Sequence, residues 1–323
     1  MLEEKLYLEI NGIRQGMFLQ SDDTDNPVLL FLHGGPGSPE IAFVAEKPAG
    51  LEKVFTVCWW EQRGSGISYH RSISRETMTV SQLIADTVAV ANYLRQRFGK
   101  EKIYLMGHSW GSVLGLLTVR QVPEPFRAYI GIGQVVCQME SEQLAYTYML
   151  DEFRAAGDRK MVRKLEKFPI DKGAGVGGKY LAVRGEGLTK LGIGMMHSSF
   201  SMWEEMMPIF RFRGYTWRER IKYVRGNLFS VKCLWDTVLE SDYAKQVPRL
   251  EVPFYVLHGK FDYQVSYALA REYVRSVEAP VKGFYTFEDS AHSPFLEEPE
   301  KMIRILRMDV LQGKAELADE LRQ

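Results

Sequence analysis

The segment that decides the fold is IYLMGHSWG, residues 103–111. Its first four residues are apolar and predict a short buried strand, and the apolar pattern that continues to Val122 predicts a helix directly after it. Ser109 stands between Gly107 and Gly111, which leave room for a strand-to-helix turn so tight that the serine hydroxyl projects above the sheet. The following helix also directs its positive end toward this hydroxyl. Ser109 is therefore the candidate nucleophile.

Short apolar runs rich in β-branched and aromatic residues surround this segment and predict further strands. The later runs alternate with helical patterns, which is typical of a parallel sheet covered by helices on both faces. Strands are predicted at residues 6–10, 17–20, 28–32, 54–60, 103–106 and 128–133, and helices at 81–98 and 110–122.

The alternation stops after Gly133 and resumes at residue 252. The interval holds helix-like stretches and eight of the 14 methionines, whose unbranched thioether chains can adapt a surface to a ligand. We therefore expect a core at residues 1–134, a helical cap insertion at 135–245, and a return to the core at 246–323. Within these segments, helices are predicted at 142–155, 158–167, 216–224, 266–277 and 299–311, and strands at 252–258 and 282–287.

Composition narrows the class of protein. The chain has 323 residues, 46% of them apolar and 25% charged, enough to bury a large core. Its 41 basic and 41 acidic side chains cancel, which disfavours a nucleic-acid partner because phosphate binding normally needs a basic surface. Apolar runs stay shorter than the ~18 residues of a membrane span. Since the charged N-terminus also lacks a signal-peptide pattern, we expect no membrane partner and a cytoplasmic location.

Neither a metal nor an organic cofactor is expected. Cys58, Cys137 and Cys233 are widely spaced and form no CxxC pair. Glycines within residues 173–178 match GxGxxG, but no clear strand precedes them, so this match predicts a flexible loop rather than a dinucleotide site.

A serine hydroxyl needs a base that takes its proton, and the chain has six histidines. His292 follows the last predicted strand, in a loop at the carboxyl edge of the sheet, where it could reach Ser109. His33 and His258 end strands, and His108 should point away from its neighbour Ser109. His292 is therefore the candidate base.

The base needs a carboxylate that holds its tautomer and stabilises the imidazolium. Asp262 comes just after the penultimate strand, beside the His292 loop. Glu288 and Asp289 are nearer in sequence, but adjacent residues on a turn rarely face each other. The order Ser109, Asp262, His292 is that of α/β-hydrolase triads.

An attacked carbonyl also needs hydrogen-bond donors for the oxyanion that forms on it. The Gly-rich turn HGGPG, residues 33–37, follows a predicted strand and can point backbone amides inward. The amide of Gly35 and that of Trp110, the residue after the nucleophile, are the candidate pair.

Three motifs together resemble the proline iminopeptidase family of α/β-hydrolases: HGGPG at 33–37, WEQRGSGIS at 60–68 and GHSWG at 107–111. The resemblance covers essentially the whole chain. It implies an α/β-hydrolase fold, with a mostly parallel eight-stranded sheet, helices on both faces, and a helical cap inserted between the sixth and seventh strands. The family usually has Asp where Glu61 stands, as a structural carboxylate.

The resemblance also implies an activity: a serine hydrolase that removes an N-terminal proline or other small apolar residue from short peptides or amides through an acyl-enzyme. In that family, cap glutamates bind the free α-amino group of the substrate. Trp203-Glu204 resembles the Trp-Glu of those caps, so Glu204 is the candidate amine ligand. Tyr263 stands where some relatives carry Glu, and a second cap glutamate is not identified.

Two other interpretations remain open at this point. The first is a carboxylesterase or carbon-carbon bond hydrolase that acts on a small apolar substrate. The second is a hydrolase-derived ligand receptor that retains the triad. The sequence does not indicate an oligomeric state.

Overall fold

The computed structural model describes residues 1–170, 176–198 and 202–321, with the side chains of residues 202–205 left out. Gly173 and Gly175 of the GxGxxG match and the side chain of Glu204 therefore lie outside the described residues. The described strands form one eight-stranded sheet in the order β1-β2-β4-β3-β5-β6-β7-β8. They are β1 (Leu2–Ile10), β2 (Ile13–Ser21), β3 (Val28–Leu32), β4 (Thr56–Trp60), β5 (Ile103–His108), β6 (Phe126–Ile132), β7 (Phe254–Gly259) and β8 (Lys282–Phe287).

Only β2 runs against its neighbours β1 and β4, and the other adjacent pairs are parallel. The predicted mostly parallel sheet is thus confirmed. The first two strands are longer than the sequence pattern predicts, since they form a hairpin over Asn11 and Gly12. Both turn residues have positive φ, 46° and 76°, as a two-residue turn with the twist of the strands requires.

Two layers of helices bury the two faces of the sheet. Successive side chains of β3 point to opposite faces of the sheet, so Leu30 belongs to the apolar core on one face and Phe31 to the core on the other. Helices α2 (Val80–Phe98), α3 (Trp110–Gln121) and α10 (Tyr267–Ser276) cover the first face, and α1 (Ile41–Glu46), α11 (Pro294–Glu297) and α12 (Pro299–Ile305) cover the second.

The remaining α-helices that the structure describes lie between β6 and β7, where the sequence predicts the cap; the division into a core and a cap stays a prediction. They are α4 (Gln138–Ala155), α5 (Arg159–Leu165), α6 (Gly178–Leu191), α7 (Met202–Arg211), α8 (Trp217–Glu240) and α9 (Tyr243–Gln246).

Helix α8 is much longer than the predicted 216–224. The apolar pattern that predicts this helix ends at residue 224, because the next residues that face inward are small or polar. A Cβ at Gly226 would lie 2.8 Å from the carbonyl oxygen of Gly64, so only glycine allows this close approach. One turn later, the Ser230 hydroxyl donates to the same oxygen at 3.1 Å.

Candidate active site

Ser109 lies on the sharp turn between β5 and α3. Its φ of +52° is in the left-handed region, which a residue with a side chain rarely adopts. A Cβ at Gly107 would overlap the carbonyl oxygen of Gly111, and a Cβ at Gly111 would overlap that of Leu32. The structure therefore has the turn that the glycine spacing predicts, and it explains why both positions are glycine.

His292 and Asp262 are in direct contact. Nδ1 of His292 lies 2.7 Å from Oδ2 of Asp262, and each residue is only 2% exposed. The second carboxylate oxygen, Oδ1, accepts from the backbone N–H of Val265 at 2.9 Å. With Nδ1 engaged, the Nε2 side of the ring remains for Ser109, which lines the same cavity.

Burial is the largest influence on the pKa of both groups. It lowers the pKa of His292 below its ordinary value, against the opposing effect of the Asp262 carboxylate. The ring is therefore neutral near pH 7 and able to accept a proton. Burial alone would raise the pKa of Asp262, but the imidazoles of His292 and His258 outweigh it and hold this pKa well below its usual range.

His258 is a residue that sequence reasoning set aside as the end of a strand. Its Nε2 lies 3.2 Å from Oδ2 of Asp262 and 3.2 Å from the carbonyl oxygen of Val265. Both neighbours accept hydrogen bonds, so Nε2 carries the proton. The four-residue spacing of His258 and Asp262 in HGKFD is the only sequence signal that could have indicated this contact.

Glu288 and Asp289, the alternative acids, are both exposed. Glu288 pairs with Lys260 at 2.5 Å, and the backbone N–H of Asp289 donates to Glu298. The structure thus brings Asp262 to His292, and it places these two side chains at the surface.

The HGGPG turn lies against the nucleophile. A Cβ at Gly34 would lie 3.2 Å from Cβ of Ser109, and Gly35 has a φ of +112°. Gly35, Trp110 and Ser109 line one small cavity together. The N–H of Gly35 has no hydrogen-bond partner in the part of the chain that the structure describes. Trp110 is the first residue of α3, where the N–H lacks an acceptor within the helix.

A buried network that the sequence did not indicate supports this turn. Oε1 of Glu40 accepts from the N–H of Gly34 at 2.8 Å and lies 2.7 Å from Nδ1 of His108. Nε2 of His108 lies 2.9 Å from the carbonyl oxygen of His292, so it must donate. Glu40 and His108 thus connect the HGGPG turn to the backbone of the candidate base.

A cavity of about 790 Å³ opens beside Ser109 and His292. Much of its wall is apolar, and four methionines from the segment between β6 and β7 contribute to it. Its apolar lining includes Phe43, Met195, Met196, Met206, Met207, Ile209 and Phe295.

Glu61 is fully buried, and its two carboxylate oxygens bind different parts of the chain. Oε2 accepts from the N–H of Ile67 at 2.6 Å, and Oε1 accepts from the hydroxyl of Tyr215, between α7 and α8, at 2.5 Å. Burial raises the pKa of Glu61 to about 7. These contacts fit the structural role that the motif resemblance implies, with a side chain that reaches the inserted segment.

Glu142, on α4 between β6 and β7, is a carboxylate that the sequence did not single out. It is fully buried, and its Oε2 lies 2.6 Å from Nε of Arg184 on α6. The two residues are 42 positions apart on different helices, so no local pattern could have indicated the pair.

Among the described residues, no group of three or more His, Cys, Asp or Glu side chains could hold a metal ion. The described helices include none that is long and apolar enough to cross a membrane.

Comparison with known proteins identifies the family. A family model described as alpha/beta hydrolase fold matches residues 27–299. The chain belongs to this family. It is 36% identical over 296 residues to a probable aminopeptidase, YbaC of Bacillus subtilis, a match that spans 90% of this chain and 91% of that protein. It is 33% identical over 135 residues to a proline iminopeptidase of Neisseria gonorrhoeae, spanning 41% and 40%.

Solved structures share the fold of this α/β-hydrolase. The proline iminopeptidase of Mycobacterium smegmatis superposes with a TM-score of 0.64 at 17% identity, over 96% of this chain and 98% of that one. A proline iminopeptidase-related protein from Thermus thermophilus has a TM-score of 0.61 at 20% identity, over 95% and 96%. The resemblance drawn from the motifs is confirmed, and the protein is a hydrolase.

Proposed function

We propose that this hydrolase uses Ser109, His292 and Asp262 as a catalytic triad to remove an N-terminal proline or other small apolar residue from short peptides or amides. The contact between His292 and Asp262 beside the cavity that holds Ser109 carries this proposal. A neutral histidine with an ionised carboxylate on Nδ1 has its other nitrogen free to act as a base.

The first half of the reaction forms an acyl-enzyme. Oγ of Ser109 bonds to the substrate carbonyl carbon as Nε2 of His292 takes the hydroxyl proton. Negative charge moves to the carbonyl oxygen, where the N–H groups of Gly35 and Trp110 bind it. The C–N bond then breaks, and His292 gives its proton to the departing amine. Asp262 stays ionised and stabilises the imidazolium throughout.

The second half consumes water. His292 takes a proton from a water molecule whose oxygen attacks the acyl carbon, and the same two amides bind the oxyanion. The bond to Oγ breaks, His292 returns the proton to Ser109, and the released acid leaves as a carboxylate. All bonds are made and broken by these groups, so the cycle needs only water as a second substrate.

The lining of the large cavity is suited to an apolar acyl group of the substrate. Four methionines and neighbouring aliphatic and aromatic side chains can surround a ring such as that of proline, and methionine adapts readily to such shapes. The names of the relatives, an aminopeptidase and proline iminopeptidases, support cleavage after a residue with a free amino group.

Glu204 remains the proposed ligand of that amino group. A charged hydrogen bond contributes ~1.5–3 kcal/mol, so Glu204→Gln should lower kcat/KM by roughly 10- to 150-fold. The matched control is Glu205→Gln, which changes the neighbouring carboxylate. N-acetylation of the substrate should impair cleavage equally, and Glu204→Gln should add little on the acetylated substrate, because both changes delete one contact.

A specific observation favours an esterase as the second candidate. Within the described part of the chain, the carboxylates that line the large cavity are Glu40 and Glu46. Glu40 already binds Gly34 and His108, and Glu46 pairs with Arg211 at 3.2 Å. Each carboxylate thus already binds another group of the protein, and Oε2 of Glu40, which has no hydrogen-bond partner among the described residues, is buried rather than exposed to the cavity.

One panel separates the two candidates: prolyl, alanyl and leucyl arylamides, their N-acetyl forms, and p-nitrophenyl esters, assayed side by side. The aminopeptidase requires cleavage of the free arylamides and at least tenfold slower cleavage of the acetylated ones. Equal cleavage of both forms, or cleavage of esters alone, would establish the esterase. Slow turnover of every substrate with retained product would instead indicate a ligand receptor.

A further inference from the structure

A second, smaller cavity of about 140 Å³ also adjoins Ser109. Ser109, Gly35 and His292 line it together with Gln138, Arg184 and Trp235, which come from the three helices α4, α6 and α8. A group bound here would lie within a few bonds of the attacked carbonyl carbon. The small cavity is thus a second subsite beside the same nucleophile.

Arg184 places a cation in the wall of this cavity. The residue is 7% exposed. Its Nη2 donates to the carbonyl oxygen of Gln264 at 3.0 Å, and its Nε lies 2.6 Å from Oε2 of Glu142. That second contact is an ion pair without a well-directed hydrogen bond, because the Nε–H does not point at the oxygen. Nη1 has no hydrogen-bond partner among the described residues.

Glu142 cannot serve as a ligand for a substrate amine, because its oxygens are already occupied. Oε1 accepts from Nε2 of Gln138 at 2.9 Å, and Oε2 accepts from the hydroxyl of Tyr180 at 3.3 Å in addition to its ion pair with Arg184. The residue is fully buried behind these donors. Of the pair Glu142 and Arg184, only the guanidinium therefore remains available to bind a substrate group.

Trp235 supplies a further donor. Its Nε1 is buried and has no hydrogen-bond partner among the described residues. An indole N–H can only donate, and a buried donor without an acceptor is costly. Hydrogen-bond donors without a partner among the described residues thus stand around the cavity, on Arg184, Trp235 and Gly35. Such a site is complementary to oxygen acceptors, and a carboxylate is the acceptor that a guanidinium binds best.

We propose that the small cavity binds the leaving group of the reaction, with the free α-carboxylate of a single amino acid held by Arg184 and Trp235. About five water molecules at ~30 Å³ each would fill 140 Å³, which suits one small residue and no longer chain. The preferred substrates are then dipeptides, with the first residue in the large cavity and the second in the small one. This inference rests on the proposed amide hydrolysis.

The decisive comparison is prolylglycine against prolylglycinamide, repeated with alanyl and leucyl dipeptides. The two members of each pair differ only in whether the C-terminal group is charged. Because a charged hydrogen bond is about twice as strong as a neutral one, wild-type kcat/KM should be about tenfold higher for the free carboxylate.

Two variants assign this preference to the cavity. Trp235→Phe removes the indole N–H together with part of the ring but keeps an aromatic side chain, and Arg184→Lys keeps the cation beside Glu142 but removes the guanidinium fork. Each should reduce the carboxylate preference at least threefold. Trp217→Phe is the matched control, because Trp217 lies on the same helix and is 71% exposed; it should leave the preference unchanged. Melting temperatures show whether each variant folds.

Equal rates for dipeptide and amide, or a preference that survives both variants, would overturn the carboxylate subsite while leaving the proposed amide hydrolysis intact. If neither peptide is cleaved but esters are, the proposed function fails, and the subsite is tested by inhibition of p-nitrophenyl acetate hydrolysis. Propionate should then inhibit more strongly than propionamide, and Trp235→Phe should remove the difference. Equal inhibition by the two compounds would overturn the subsite.

Discussion

Replacing Asp262 by Asn tests the candidate triad most sharply, because the surroundings of this carboxylate leave its amide analogue no good orientation. Oδ1 accepts from the N–H of Val265 at 2.9 Å, and Oδ2 faces Nδ1 of His292 at 2.7 Å and Nε2 of His258 at 3.2 Å. All these partners donate, but an amide offers one acceptor and one donor.

In the first orientation the amide oxygen keeps the Val265 contact, and the NH₂ group faces His292. Nδ1 must then accept, so the proton moves to Nε2, and the ring presents a donor where Ser109 needs a base. In the reverse orientation His292 keeps its tautomer, but a donor meets the buried N–H of Val265. Leaving that N–H unsatisfied costs ~1–3 kcal/mol, which reduces the population of the productive orientation by roughly 5- to 160-fold.

The lost charge adds a second penalty, since no carboxylate then stabilises the imidazolium. Together these effects should lower kcat by about 10³- to 10⁴-fold. The assay is arylamide or ester hydrolysis at saturating substrate, with a thermal melt to verify folding. Asp289→Asn is the control, because that carboxylate is exposed, and it should retain activity. A folded Asp262→Asn enzyme within tenfold of wild type, or a larger loss in Asp289→Asn, would refute the assignment.

Ser109→Ala should lower kcat by about 10⁴- to 10⁶-fold without lowering the melting temperature, and activity within tenfold of wild type would show that another group is the nucleophile. The acid limb of kcat/KM should have its midpoint below the ordinary histidine value of about 6.5, because burial lowers the pKa of His292 and only the neutral ring accepts a proton; a midpoint above that value in a pH–rate profile would contradict this. Gly66→Ala should lower the free energy of unfolding in urea by ~2–5 kcal/mol, since its φ is +44° and the new Cβ would overlap Oε2 of Glu61. Gly99→Ala is the control: its φ is +61°, but a Cβ there would meet no atom within 4 Å, so the variant should lose only ~1–2 kcal/mol of unfolding free energy. Equal losses in the two variants would show that Glu61 moves away from the new Cβ at no cost.

The part of the fold near the motifs could be predicted because its signals are local. The β5 strand, the Ser109 turn and α3 follow one another within 19 residues, and apolar periodicity and glycine spacing suffice to indicate them. Loops at the carboxyl ends of parallel strands meet at one edge of the sheet, so the contact between Asp262 and His292 could be predicted from chain order.

The cap could not be predicted to the same depth, since its helices are specified by contacts between distant residues. Helix α6 contains Gly185 and Gly187, which disfavour a helical prediction. A Cβ at Gly187 would nevertheless lie 2.7 Å from Sδ of Met149 on α4, so a residue without a side chain lets the two helices pack closely here. The ion pair of Arg184 with Glu142 has the same origin, since it exists only once these two helices pack together.

The glycine-rich motifs that carry the family resemblance serve the docking of α8 as well as the chemistry. A Cβ at Gly37 would lie 2.7 Å from Cβ of Ser230, and a Cβ at Gly64 would lie 3.2 Å from a ring carbon of Phe229, both on α8. The amide of Asn227 donates to the hydroxyl of Ser38 at 2.8 Å, directly beside the HGGPG turn.

Helix α8, which also carries Trp235, is therefore fixed to the turn that holds the candidate oxyanion donors. The motifs therefore specify how the inserted helices pack against the sheet. They determine the architecture of the site more than they determine which substrate it binds. The choice between a peptide and an ester falls to side chains outside them, on the methionine-lined wall and around Arg184. Substitutions there should change which substrates are cleaved while the triad and its surroundings stay the same.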